Sequence, residues 1–124
     1  MTDVFEDASP RAQALLERWI AADATWVAVH EGTVVGFVVA ECTFFDNEFV
    51  EMLRVTPSAR RLGAASLLLS VVSRERRSAK LFTSTNLSNT PMQSVLAKLN
   101  WQSAGIVYGL DEGDPELFYI APSQ

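Results

Sequence analysis

The feature that most constrains this chain is a change of period at its centre. Phe49 to Val55 reads as a strand and stops at Thr56-Pro57. From Arg61 to about Arg76, Leu62, Ala65, Leu69 and Val72 mark one apolar stripe, and Leu67, Leu68 and Val71 widen it. Lys80 to Thr85 then reads as a strand again. Strand, turn, helix and strand make a β-α-β crossover, which requires a sheet with a helix packed on one face.

The flanks extend this pattern. The first 22 residues read as one helix, capped at Ser9-Pro10 and continued by Ala14, Leu15, Arg18, Trp19 and Ala22. Trp26 to Val29 and Val34 to Phe45 read as strands joined through the turn His30-Glu31-Gly32-Thr33, an antiparallel hairpin. Asp46-Asn47-Glu48 reads as the turn into the third strand. Thr90-Pro91-Met92-Gln93 looks like a capping box, and Met92, Val95, Leu96 and Leu99 continue at helical spacing. Trp101 to Leu110 and Glu116 to Ala121 close the chain as two strands around the turn Asp111 to Pro115. The expectation is a single domain over residues 1–124 in the α/β (α+β) class. Its order is α-β-β-β-α-β-α-β-β, with a mixed, mainly antiparallel sheet flanked by helices.

Composition narrows the chemistry. With 10 basic and 15 acidic residues the net charge is −5, which argues against a dedicated nucleic-acid binder. No apolar run reaches the roughly 18 residues of a membrane span, and the acidic N-terminus does not resemble a signal peptide. A cytoplasmic location is the expectation. A single cysteine, Cys42, excludes an internal disulfide and a cysteine-rich metal site, and no metal is expected. With His30 as the only histidine and set in a turn, Cys42 reads as a small buried residue rather than a nucleophile.

The informative segment is Val55-Thr-Pro-Ser-Ala-Arg60-Arg61-Leu62-Gly63-Ala64-Ala65. It ends a strand and opens a helix. The amides of a helix's first turn lack internal partners and, with the helix dipole, favour an anion. Glycine lets the main chain approach a phosphate closely, and two arginines add bidentate donors. Together these describe a pyrophosphate site. Arg60, Arg61, Arg74, Arg76, Arg77 and Lys80 concentrate positive charge here on an acidic chain; they read either as attraction for an anionic ligand or, over 74–80, as a solvated helix end.

These residues resemble the GNAT superfamily of acetyl-coenzyme-A-dependent N-acyltransferases. The likeness rests on Val55-x-Pro57-x-x-Arg60-x-x-Gly63-x-Ala65-x-x-Leu68, then Asn89, then Asn100-Trp101 where the family usually has Gly-Phe. It covers about Trp26 to Ala121, and the closing stretch from Leu81-Phe-Thr-Ser-Thr-Asn86 through Asp111-Glu-Gly-Asp-Pro-Glu116-Leu-Phe-Tyr119 also looks like a group of small bacterial members. The first strand of the usual fold is missing, so the N-terminus is shortened. The resemblance implies acetyl-CoA as cosubstrate. The main chain of Leu53, Arg54 and Val55 would bond the pantetheine arm. Arg60 would open the loop, and the amides of Arg61, Leu62, Gly63, Ala64, Ala65 and Ser66 would hold the pyrophosphate. Asn89 stands where family members contact pantetheine, or serves as a helix cap.

The implied reaction is direct acyl transfer from a thioester to a primary amine in a ternary complex. The amine must lose a proton, the oxyanion needs a donor, and the thiolate leaves. A thiol pKa of about 8.5 makes a strong general acid helpful but not compulsory. The oxyanion donor would be a main-chain amide near Leu53. The family's tyrosine acid aligns with Leu96, and an acidic residue carried by some members aligns with Ser84. That leaves Glu51 as the first choice for base, Glu41 as the second, and Tyr108 as a replacement acid. Phe44, Phe45 and Phe49 either pack in the core or wall a substrate pocket. Glu41, Asp46, Glu48 and Glu51 give the acceptor side a negative character suited to a cation. The runner-up is a coenzyme-A-binding module with weak or lost catalysis. A homodimer is expected from an exposed strand edge on a shortened sheet.

Overall fold

The structure, a computed structural model, describes residues 17–18 and 24–123, with all their side chains except that of Arg61. Among them are β1 (Thr25–His30), β2 (Thr33–Phe44), β3 (Asn47–Val55), β4 (Leu81–Asn86), β5 (Gln102–Val107) and β6 (Glu116–Ile120). A 3-10 turn, Pro57–Leu62, precedes helix α1 (Ala64–Arg74), and helix α2 (Thr90–Lys98) follows β4. The strands form one sheet in the order β1-β2-β3-β4-β6-β5. β3 and β4 pair parallel, while β1 with β2, β4 with β6 and β5 with β6 pair antiparallel. The expected mixed, mainly antiparallel sheet is present. The expected N-terminal helix, with its cap at Ser9-Pro10, falls outside the described residues except Glu17 and Arg18, which are helical.

Contacts divide the chain into two compact units, Met1–Glu41 with Glu51–Val72 and Cys42–Val50 with Ser73–Gln124. In the first, β1 and β2 turn through Glu31 and Gly32, whose φ angles are 51° and 79°. Two successive left-handed residues match the twist of a hairpin's strands. Phe37 to Ala40 are all at most 2% exposed, so this run of β2 is covered on both faces and reads as continuous apolar sequence. Phe37 and Val39 cluster with Ala24, and Val34 and Met52 pack against them. A Cβ on Gly36 would stand 2.9 Å from the Arg54 carbonyl oxygen and 3.3 Å from Leu68 Cδ1. Gly36→Ala is therefore expected to lower stability by about 1–3 kcal/mol through overpacking, read as a lower urea midpoint.

Helix α1 starts later than its periodicity predicts. Gly63 adopts φ 76°, ψ 21° and ends the 3-10 turn, so α1 begins at Ala64 and its buried stripe is Ala64, Leu68, Leu69 and Val72. Leu62 and Leu67, placed on the buried stripe from sequence, are each 59% exposed. Leu62 precedes the break and is out of phase with the helix.

In the second unit, Phe45 and Asp46 form the turn into β3, with φ 51° and 66°. This shifts the turn expected at 46–48. Asn47 Nδ2 donates to the carbonyls of Phe44 (3.3 Å) and Phe45 (3.0 Å), and Glu48 is already within the strand and wholly buried. The cap of α2 also moves by one residue: Asn89 Oδ1 accepts from Met92 N at 3.2 Å, so Asn89, not Thr90, caps it. Gln93 Nε2 instead donates to the Leu87 carbonyl at 2.6 Å. At the other end Asn100 takes φ 64°, Asn100 N donates to Ala97 O and Trp101 N to Leu96 O. This closure needs a left-handed residue, and asparagine is the usual substitute for glycine there. Trp101 is buried as part of it, which is why β5 begins at Gln102. Cys42, expected to be buried, is exposed; it lies near the end of β2, where Thr43 is exposed as well.

Candidate active site

The turn between β3 and α1 is built by local rules. Thr56 N donates to Val35 O, and Ala59 N to Thr56 O, which winds the chain into its 3-10 turn after Pro57. Ala59 is 1% exposed and anchors that turn. Gly63 then crosses to the left-handed region, and Leu67 N donates to the Gly63 carbonyl at 3.0 Å. This is the first backbone bond of α1, so the preceding amides, Ala64, Ala65 and Ser66, stand at the helix start without helical partners. Nothing lies within 4 Å of a Cβ built on Gly63. Arg60 is exposed at this turn, as is Leu62. Main-chain donors, a dipole end, a cation and open space therefore meet in one short segment, and they fit a diphosphate.

The main chain of Leu53, Arg54 and Val55 leads into that turn. The parallel register of β3 with β4 covers Glu48↔Leu81, Phe49↔Phe82 and Val50↔Thr83, and Leu53–Val55 lie beyond it. Glu51 is exposed on the same strand. Glu41 is 3.4 Å from the Arg18 guanidinium, an arginine-paired carboxylate. His30 is exposed, 3.9 Å from Glu31. Tyr108, just past β5, is 75% exposed.

The basic run after α1 has structural partners. Arg76 donates to Ser73 O at 2.7 Å and to Pro122 O at 2.6 Å. Arg77 is paired with Glu48, and Arg74 with Glu75. Arg74, Arg76 and Arg77 thus have protein partners, whereas Arg60 lies exposed at the turn before Gly63.

In the second unit, β4 presents two different faces. Leu81, Thr83 and Thr85 are buried, while Phe82, Ser84 and Asn86 alternate with them at intermediate exposure. Leu96, in the family tyrosine's position, is fully buried and apolar. On β6, Phe118 lies opposite Ser84 and Glu116 opposite Asn86. Ser84 Oγ donates to Glu116 Oε2 at 2.6 Å. The sequence reading did not find this carboxylate, 32 residues away. Phe44 stacks on Phe118 at 5.7 Å and lies 5.1 Å from Phe82 and 5.2 Å from Phe49. Of the phenylalanines expected either in the core or at a pocket, none is fully buried: Phe44 and Phe49 are half-buried, and Phe45 is 85% exposed.

The model of the acetyltransferase (GNAT) family matches residues 1–101. Among solved structures, a GNAT-family acetyltransferase from Bacillus cereus is 31% identical, with a TM-score of 0.90 over 98% of this chain and 86% of that one. An N-acetyltransferase from Staphylococcus aureus is 23% identical, with a TM-score of 0.74 over 97% of this chain and 82% of that one. A Salmonella typhimurium protein described as an acetyltransferase, solved with its cofactor acetyl-CoA, is 16% identical, with a TM-score of 0.74 over 94% of this chain and 80% of that one. No curated protein matches the chain. The strand, left-handed glycine and helix start found here are thus set in a fold shared across 98% of the chain with a GNAT enzyme, and the chain belongs to the GNAT acetyltransferase family.

Proposed function

We propose that this protein transfers an acetyl group from acetyl-CoA to the primary amine of an acceptor by direct attack in a ternary complex. The observation that carries this reading is the left-handed Gly63, which leaves the amides of Ala64, Ala65 and Ser66 at an open helix start. With Arg61, Leu62 and Gly63 they form the diphosphate cradle, and Arg60 adds charge at its mouth. The main chain of Leu53, Arg54 and Val55 bonds the pantetheine arm. Asn89, whose Oδ1 caps α2, has its Nδ2 to offer the same arm.

In the transfer, the amine nitrogen forms a bond to the thioester carbonyl carbon and the carbon–sulfur bond breaks. The amine's proton passes to a carboxylate, and the sulfur leaves as a thiolate that takes up a proton. An amide near Leu53 stabilises the oxyanion. Glu51 is the base, directly or through water, and Tyr108 is the acid. Leu96 cannot serve as acid, so the thiolate's own stability carries much of that step. Loss of a positioned base typically costs about 10²–10⁴-fold. Glu51→Gln is therefore expected to lower kcat by at least about 100-fold with little change in acetyl-CoA affinity, measured as amine-dependent release of free thiol.

A further inference from the structure

Within the second unit, a cavity of about 320 Å³ is lined by Phe44, Phe45, Phe82, Phe118, Ile106 and Val107. Its existence follows from the register. Gly105 on β5 lies opposite Phe118 and has no side chain to cover the ring. The shift in pairing between Ser103 and Gly105 takes Ala104 out of the ladder and places it on the cavity's rim. Phe45 is 85% exposed, so apolar surface is presented to solvent rather than packed. Pockets of this size suit one ring or branched alkyl group.

The polar end is as well defined. Along β6, Glu116 is two residues from Phe118, so both side chains share a face. Glu116 Oε2 accepts from Ser84 Oγ, which orients the carboxylate and leaves Oε1 lone pairs for a ligand. The neighbouring acids accept hydrogen bonds in the turn before β6. Asp111 accepts from Asn86 Nδ2 at 2.9 Å, and Asp114 accepts from Ser88 N at 3.0 Å and from Ser88 Oγ at 2.6 Å. Glu116 is thus the carboxylate that shares a strand face with the aromatic floor.

We infer that this cavity and Glu116 form an acceptor subsite for a primary amine bearing an aromatic or branched apolar group. The ring lies on Phe44, Phe82 and Phe118, and the ammonium meets Glu116 as it binds, before it gives up its proton for transfer. The inference rests on the acyl-transfer reading for its meaning, but the cavity's ligand can be tested without the coenzyme. It also narrows the cation expected from the acidic residues to one with an apolar group, since a cation without one would leave the aromatic floor empty.

The test is direct binding, by calorimetry or saturation-transfer NMR, of 2-phenylethylamine, ethylamine and 2-phenylethanol to the protein alone. The expected result is that 2-phenylethylamine binds at least about ten-fold more tightly than either analogue. Ala104→Phe, a change at an exposed position that fills the cavity, and Glu116→Gln should each weaken it at least about five-fold. Ethylamine binding as tightly as 2-phenylethylamine would overturn the inference. So would an unchanged affinity in Ala104→Phe. Absence of acetyl-CoA binding, measured separately, would remove the transfer reading and leave the amine subsite standing.

Discussion

Gly63→Asp is expected to lower acetyl-CoA affinity by about 100-fold or more, equivalent to about 2.7 kcal/mol, while the protein remains folded. The choice of aspartate separates two effects. Position 63 sits at φ 76°, a region where aspartate is tolerated better than most residues. No atom lies within 4 Å of the new Cβ, so nothing in the protein resists the side chain. What the carboxylate meets is the diphosphate, at the helix start where Ala64, Ala65 and Ser66 aim their amides. Like-charge repulsion there opposes the attraction of the amides. Gly63→Asn is the neutral comparison and should retain most of the affinity. Calorimetric titration of the two variants reads the difference, and equal affinities would show that no phosphate approaches this turn.

The largest effect on stability is expected at Glu48. This side chain is 0% exposed, although it is a carboxylate. The connection from α1 to β4 is wound around it. Arg77 N donates to Glu48 Oε1, and the Arg77 guanidinium is 3.5 Å from Oε2. Ser78 Oγ accepts from Glu48 N at 2.9 Å and donates to Lys80 O at 2.6 Å. Oε2 has charge pairing but no aligned hydrogen bond. Glu48→Ala leaves the Arg77 amide without its acceptor and opens a void beside Leu81, its parallel partner. The expected loss is about 3 kcal/mol. Glu48→Gln keeps an acceptor and the volume, and should cost about 1 kcal/mol. Urea unfolding distinguishes them; a loss under about 0.5 kcal/mol for Glu48→Ala would mean that the carboxylate does not hold this connection.

Much of this was legible because local chemistry and global fold agree. Glu31-Gly32 between two β-rich runs specified a hairpin, and the change of period after Pro57 specified the crossover. Boundaries moved where one residue's backbone overrode a pattern. Gly63 interrupts what periodicity reads as one helix, and an aromatic residue, Phe45, occupies a left-handed turn position that no propensity favours. Asn89 took the cap from Thr90 because its side chain reaches Met92 N.

The candidate site divides in the same way. The anion-binding turn is contiguous, so its residues could be named from one stretch of sequence. The Ser84–Glu116 pair was hidden because β6 lies between β4 and β5 in the sheet, against sequence order. Alternation along a strand gives a face, but not which distant strand shares it. Only the register Ser84↔Phe118 brings the carboxylate to β4. Arg74, Arg76 and Arg77 drew attention for their charge, yet carboxylates and carbonyls nearby hold them.

The most direct test of the central claim is an amide-resolved NMR titration with acetyl-CoA. The account predicts that Gly63, Ala64, Ala65 and Ser66 show the largest shifts, that these saturate, and that inorganic pyrophosphate reproduces them in part. Saturable binding that leaves those four amides unmoved, or no binding at all, would contradict it.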